Sequence, residues 1–126
     1  MRALDTNVLV RLIVRDHQKH VASAEAFVAN GAWVSLLALA ETTWVLSVVY
    51  GRRPEEIALA IDMLLAHQHL TLQDPDVVSA SLAHFRKKPA LGYSDCLLLE
   101  MARKSGHLPI GTFDRDLAKL PGAERL

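Results

Sequence analysis

The alternation of apolar and polar stretches divides the chain into short strands and amphipathic helices. Met1-Arg2-Ala3-Leu4 is a brief start that stops at Asp5, and Val8-Leu9-Val10-Arg11-Leu12-Ile13 continues apolar at a helical rhythm. A strand over 2–5 and a helix behind it follow, with Thr6 or Asn7 capping the free N–H groups of the first turn. Asp16-His17-Gln18-Lys19 interrupts the pattern as a turn. Val21, Ala24, Phe27 and Val28 then recur at i, i+3 and i+4, and Asn30-Gly31 closes that helix. Residues 32–35 read as a strand and 36–50 as a helix ended by Gly51. Pro54 pre-sets a helix that runs to about Ala66, with Ile57, Ala60, Ile61, Leu64 and Leu65 on one face. Residues 70–72 form a strand, and Asp74-Pro75 opens a helix that Arg86-Lys87-Lys88-Pro89 ends, positive charge meeting the negative helix terminus. A loop over 90–93, a helix over 94–105, a strand over 108–112, a short helix over 114–119 and a last strand over 123–126 complete the chain. Pro109 belongs at a strand start or edge.

Strands alternating with helices imply an α/β fold, a parallel sheet of about five strands with helices on both faces. A length of 126 residues, without repeat, low-complexity segment or linker, corresponds to a single domain over 1–126. The lone cysteine, Cys96, excludes an internal disulfide and fits a reducing, cytoplasmic compartment. Met1 is followed at once by structured-looking sequence, so no signal peptide is expected. The longest apolar stretch, 32–50, carries Glu41, Thr42, Thr43 and Ser47 and reads as soluble core, not as a membrane span. A formal net charge of zero gives nucleic-acid binding no support from charge alone, although a pocket that gathered four acids would leave the remaining surface basic.

Four acids stand out. Asp5 and Asp114 follow strands, and Asp95 opens a helix; each position also suits a helix cap or the helix dipole. Glu41 shares a face with Leu37, Trp44, Val45 and Val48, and a carboxylate on an apolar stripe loses water at a cost unless it is paired or ligates a metal. Asp95 shares a face with Leu98, Leu99 and Ala102, so it points the way the core does, whereas Glu100 faces outward toward Lys104 at i+4. Strand ends are where open α/β sheets bind ligands. Carboxylates brought together repel unless a cation neutralises them. Three or four hard oxygen donors suit Mg²⁺ or Mn²⁺ rather than zinc. Such a site activates water for in-line attack at phosphorus. Ser94 and Thr112 place hydroxyls near the expected cluster, and Asp116 is a solvated neighbour able to support it. Arg11, Arg15, Lys19, Arg52, Arg53, Arg86, Lys87 and Lys88 are available to RNA phosphates. Tyr93 either stacks on a base or closes the core, and Trp33 and Trp44 are core.

These segments, Leu4-Asp5-Thr6-Asn7-Val8-Leu9, Leu39-Ala40-Glu41, Ser94-Asp95-Cys96-Leu97-Leu98 and Thr112-Phe113-Asp114-Arg115-Asp116-Leu117, resemble the PIN-domain ribonucleases in order and spacing over nearly the whole chain. The compact, single-domain length is closest to the VapC-type toxins of prokaryotic toxin–antitoxin modules. The resemblance implies a PIN-like three-layer α/β/α sandwich and a Mg²⁺- or Mn²⁺-dependent endoribonuclease, with Asp5, Glu41, Asp95 and Asp114 as catalytic and metal-binding acids. Thr6 and Asn7 would shape the pocket and Thr112 would support Asp114. It also implies an RNA substrate, a cognate antitoxin covering the site and a homodimer. Many relatives carry a further Asp three positions before the one matching Asp95; here that position is Gly92, which leaves one acid fewer unless Asp116 substitutes.

Two rivals remain open. A phosphatase with Asp5 as nucleophile would ordinarily have a second acid two residues on, where this chain has Asn7. A non-catalytic PIN-like module would bind RNA or a partner protein without turnover.

Overall fold

The computed structural model describes all 126 residues. They form two compact units, Met1–Pro75 and Asp76–Leu126.

In the first unit, β1 (Arg2–Ala3), β2 (Ala32–Val34) and β3 (Leu70–Leu72) make a parallel sheet in the order β1-β2-β3, with Arg2 opposite Ala32 and Ala32 opposite Leu70. Helices α1 (Thr6–Val14) and α2 (Gln18–Val28) link β1 to β2, and α3 (Leu36–Val48) and α4 (Pro54–Ala66) link β2 to β3. Parallel neighbours require such crossovers. On β2, Ala32 and Val34 are fully buried while Trp33 is 36% exposed, so Trp33 lies at the edge of the packing and is not core as expected. The carboxyl ends of the three strands lead to Asp5, Ser35 and Gln73. The Ser35 hydroxyl accepts from Ala38 N at 3.0 Å, and the Gln73 side chain accepts from Leu36 N at 2.9 Å, so both satisfy the first turn of α3.

The orientation of α3 reverses the sequence expectation. Its buried face is Leu36, Ala38, Leu39, Thr42, Thr43 and Leu46, whereas Leu37, Trp44 and Val48 are 70%, 62% and 61% exposed. Two polar residues can face inward because they bond to their own helix: Thr42 Oγ1 donates to Ala38 O at 2.7 Å and Thr43 Oγ1 to Ala40 O at 2.8 Å. Glu41 and Trp44 are therefore on the outward face, and the expected desolvation of Glu41 does not occur.

In the second unit, α5 (Pro75–Lys87) and α6 (Tyr93–Lys104) are joined by a turn of 3₁₀ helix at Pro89–Leu91. The strands β4 (Ile110–Thr112) and β5 (Ala123–Arg125) form a separate parallel pair, with Ile110 opposite Ala123 and Thr112 opposite Arg125. All five expected strands are present and every pairing is parallel, but they divide into sheets of three and two. Val78, Leu82, Phe85, Leu97 and Leu99 form the centre of this unit's core. Tyr93 belongs to it: its ring meets Phe85 edge-on at 5.8 Å and its hydroxyl donates to Val78 O at 3.0 Å. Burial pushes the Tyr93 hydroxyl and the Cys96 thiol upward, the latter to about 11, so Cys96 is an unreactive core residue.

Glu100 also departs from expectation. It is buried, and its Oε2 sits 3.1 Å from both His84 Nε2 on α5 and Arg103 Nε. Lys104, its expected partner, reaches Asp76 on α5 at 3.0 Å. On the opposite side of α6, Leu98 is 53% exposed, so the Asp95 face is only partly turned to the core. No helix is long and apolar enough to cross a membrane.

Candidate functional site

In the first unit, the strand-to-helix switch after β1 places Asp5 at the N-cap of α1, with extended backbone at φ −78° and ψ 155°. Its carbonyl accepts the first helical bonds, from Val8 N at 3.1 Å and Leu9 N at 3.4 Å, but its side chain makes no capping bond. An Asp at this position ordinarily caps. Here the carboxylate is exposed and uncommitted, which is the arrangement a ligand-binding acid requires. Neither Thr6 nor Asn7 is the cap. Thr6 Oγ1 instead donates to Glu41 Oε2 at 2.8 Å, tying the first turn of α1 to the outward face of α3. This bond restrains a carboxylate that burial does not.

Asp5, Thr6 and Asn7 border a cleft of about 360 Å³, completed by Val10, Arg11, Val45, Val49 and Tyr50. Asn7 and Arg11 also border a second, larger cleft of about 520 Å³ with Val8, His20, Ser23, Ala24 and Phe27. Arg11 is held by Asp16, whose hydrogen bond keeps the guanidinium firmly charged. Arg15 pairs with Glu25, and Arg53 with Glu55 and Glu56, so three of the cations named for RNA phosphates already have acidic partners.

In the second unit, Asp95 is half-buried in the first turn of α6. Burial, and then the charge of Asp114, push its carboxyl above the ordinary carboxylate range. These two acids therefore feel each other across the unit. Asp114 is positioned by three bonds. Its N–H donates to Thr112 Oγ1 at 3.0 Å, and its Oδ1 accepts from Asp116 N and Leu117 N, each at 2.8 Å, which starts the 3₁₀ turn Leu117–Lys119. One carboxylate oxygen thus serves the backbone and the other remains. Asp116 is exposed, 3.7 Å from Lys119 Nζ, and Ser94 is exposed at the start of α6. Gly92, at the N-cap of α6, has φ +79° and ψ 144°, and a Cβ there would meet nothing within 4 Å.

Nowhere do three or more His, Cys, Asp or Glu side chains gather closely enough to hold a metal ion by themselves. The donor chemistry nevertheless suits a hard divalent cation. The uncommitted groups are carboxylate oxygens, and the Asp95–Asp114 repulsion is the kind that such a cation relieves.

Two features escaped sequence reasoning. One is the Thr6–Glu41 bond, between residues 35 apart in the chain. The other is Phe113, 80% exposed between Thr112 and Asp114. An aromatic residue flanked by polar ones directly after a strand was the available signal for the second.

A family model, described as PIN domain, matches residues 2–123. Comparisons with curated proteins and with solved structures return no match.

Proposed function

The chain belongs to the PIN-domain family, and from that premise we propose that it is a Mg²⁺- or Mn²⁺-dependent endoribonuclease, the toxin of a type II toxin–antitoxin pair. Nuclease-type function is general to the family. The metal, the RNA substrate, the cytoplasmic toxin role, the homodimer and the antitoxin that silences it are this reading's own content.

The observation that carries it is the family match over residues 2–123, and the Asp95–Asp114 pair supports it: burial, and then the charge of Asp114, pushes the Asp95 carboxyl up. Such a pair weakens the fold unless it serves a bound cation or a proton. Asp5 and Glu41 are the first unit's members of the proposed acidic set. Asp5 contributes a carboxylate released from capping, and Glu41 one aimed by the Thr6 hydroxyl. Thr112 fixes the backbone of Asp114, and the two N–H groups on its Oδ1 fix the direction of that carboxylate. Asn7 shapes the cleft wall beside Asp5, while Ser94 and Asp116 are polar neighbours of Asp95 and Asp114. Divalent metal, where these acids hold it, would supply Lewis-acid stabilisation of charge developing at phosphorus and would acidify water. The chain's own part is to orient the carboxylates and admit the phosphodiester.

The products then carry a 5′-phosphate and a 3′-hydroxyl. The test is to incubate antitoxin-free protein with cellular RNA in Mg²⁺, in Mn²⁺ and in chelator, and to read the ends of the cuts. Ends of 2′,3′-cyclic phosphate, or cuts that persist in chelator, overturn the mechanism. A second reading, a non-turning-over RNA- or protein-binding module, draws on Gly92. An acid at that position would have to adopt a backbone conformation that L side chains rarely take. A folded protein that binds RNA and cuts none of it under any metal favours this second reading.

A further inference from the structure

Phe113 is the most exposed aromatic side chain of the protein, at 80%, against 62% for Trp44. A ring left in water forgoes the stabilisation that burial gives. The fold holds it there firmly. Before it, Thr112 is paired in the β4–β5 ladder, and its carbonyl accepts from Leu126 N at 2.9 Å. After it, Asp114 is pinned through the Thr112 hydroxyl and through the two backbone N–H groups on its own Oδ1. The ring is therefore presented on a rigid turn, so little ordering entropy is lost when something covers it.

Its chain neighbours say what kind of ligand fits. Trp44 shares its exposed helix face with aliphatic Leu37 and Val48, a surface of protein-contact character. Phe113 is followed instead by an acid, Asp114, and by an exposed cation, Arg115. Adjacent Cα atoms lie about 3.8 Å apart, so an aromatic face, a carboxylate and a guanidinium are offered within one short stretch. A nucleotide matches two of these, with a flat base for the ring and an anionic phosphate for the Arg115 guanidinium. Unpaired bases splay out and stack on Phe, Tyr or Trp rings.

We propose that Phe113 is a stacking platform for an unpaired base of the RNA, adjacent to the phosphodiester that Asp114 serves. The proposal rests on the nuclease reading above and adds a positioning residue to it. Stacking tolerates any base because every base has a π-face, so Phe113 sets affinity and placement more than sequence.

The test uses the full chain and a short single-stranded RNA of mixed sequence carrying 2-aminopurine, whose fluorescence falls on stacking. Binding is read in an Asp5→Asn background and cleavage with Phe113 changed alone. Phe113→Ala and Phe113→Leu are expected to lose about tenfold in affinity and the aminopurine quench. Phe113→Tyr is expected to stay within about twofold of wild type. Thermal stability should be the same in all three, because the ring is exposed. Equal binding and cleavage by Ala and Tyr variants, while the wild type cuts RNA, overturns the stacking role and leaves the nuclease reading intact. Recovery by Leu shows that an apolar side chain suffices without a ring and also overturns it. Absence of RNA binding and cleavage by the wild type removes both.

Discussion

The Thr6–Glu41 hydrogen bond links the two acidic elements of the first unit, and its loss separates positioning from folding. Thr6→Val removes the donor and keeps the side-chain shape. The bond is 2.8 Å long and charge-assisted, but Glu41 is exposed and water competes for its carboxylate. Hydrogen bonds contribute about 0.5–1.5 kcal/mol net, and charged ones more. Solvent exposure keeps this one near about 1 kcal/mol, which lets the carboxylate leave its working rotamer and lowers single-turnover cleavage by about fivefold. The same exposure leaves stability almost unchanged, with a melting shift of about 4 °C at most. Thr6→Ser, which restores the donor, should recover most of the rate. The reasoning is refuted if Thr6→Val cuts RNA at the wild-type rate, or if it loses activity only in proportion to a large fall in melting temperature.

Asp95→Asn is expected to raise the melting temperature at neutral pH while lowering cleavage. Because burial and Asp114 raise the folded-state pKa of Asp95, its contribution to stability is fully present below the unfolded carboxylate pKa of about 3.9 and is lost as pH rises through the higher folded value. The advantage of Asn should therefore shrink on acidification, and calorimetric melts at two pH values check it; an Asn variant less stable at pH 7 contradicts the repulsion. Glu100→Gln weakens the contacts to His84 and Arg103 and is expected to destabilise by about 1–2 kcal/mol, discounted because Arg103 is 40% exposed, without altering cleavage. Urea titration measures it, and an unchanged midpoint would show the network to be dispensable.

Elements marked by turn chemistry and a single apolar stripe were legible in the sequence. Helix α4 begins at Pro54 and ends at Ala66 as its proline and one-sided face indicate, and β3 spans Leu70–Leu72 as its apolar-polar-apolar pattern suggests. Helix α3 was legible as a helix but not in its rotation. It is apolar around most of its circumference, so periodicity cannot choose a face, and the choice falls to two threonines that satisfy their hydroxyls within the helix. The sequence pattern consequently turns Trp44 inward and assigns Glu41 a desolvation it does not suffer. Glu100 failed for a different reason. A helical wheel places it outward beside Lys104, whereas its burial comes with a tertiary neighbour on α5, His84, that no local pattern reveals. The position of Asp5 was visible because a strand-to-helix switch is written in the residue pattern. Its freedom from capping was not, because that depends on where one side chain turns.

The central claim is metal-dependent RNA cleavage by four named acids. The most direct measurement is single-turnover cleavage of cellular RNA in Mg²⁺ or Mn²⁺ by the wild type beside Asp5→Asn, Glu41→Gln, Asp95→Asn and Asp114→Asn, each first checked for folding by its melting profile. The account predicts discrete cuts by the wild type, none in chelator, and losses of at least about a hundredfold in every amide variant, the scale on which removing or misplacing a catalytic group acts. Wild-type rates in all four folded variants, or cutting that survives chelation, would contradict it.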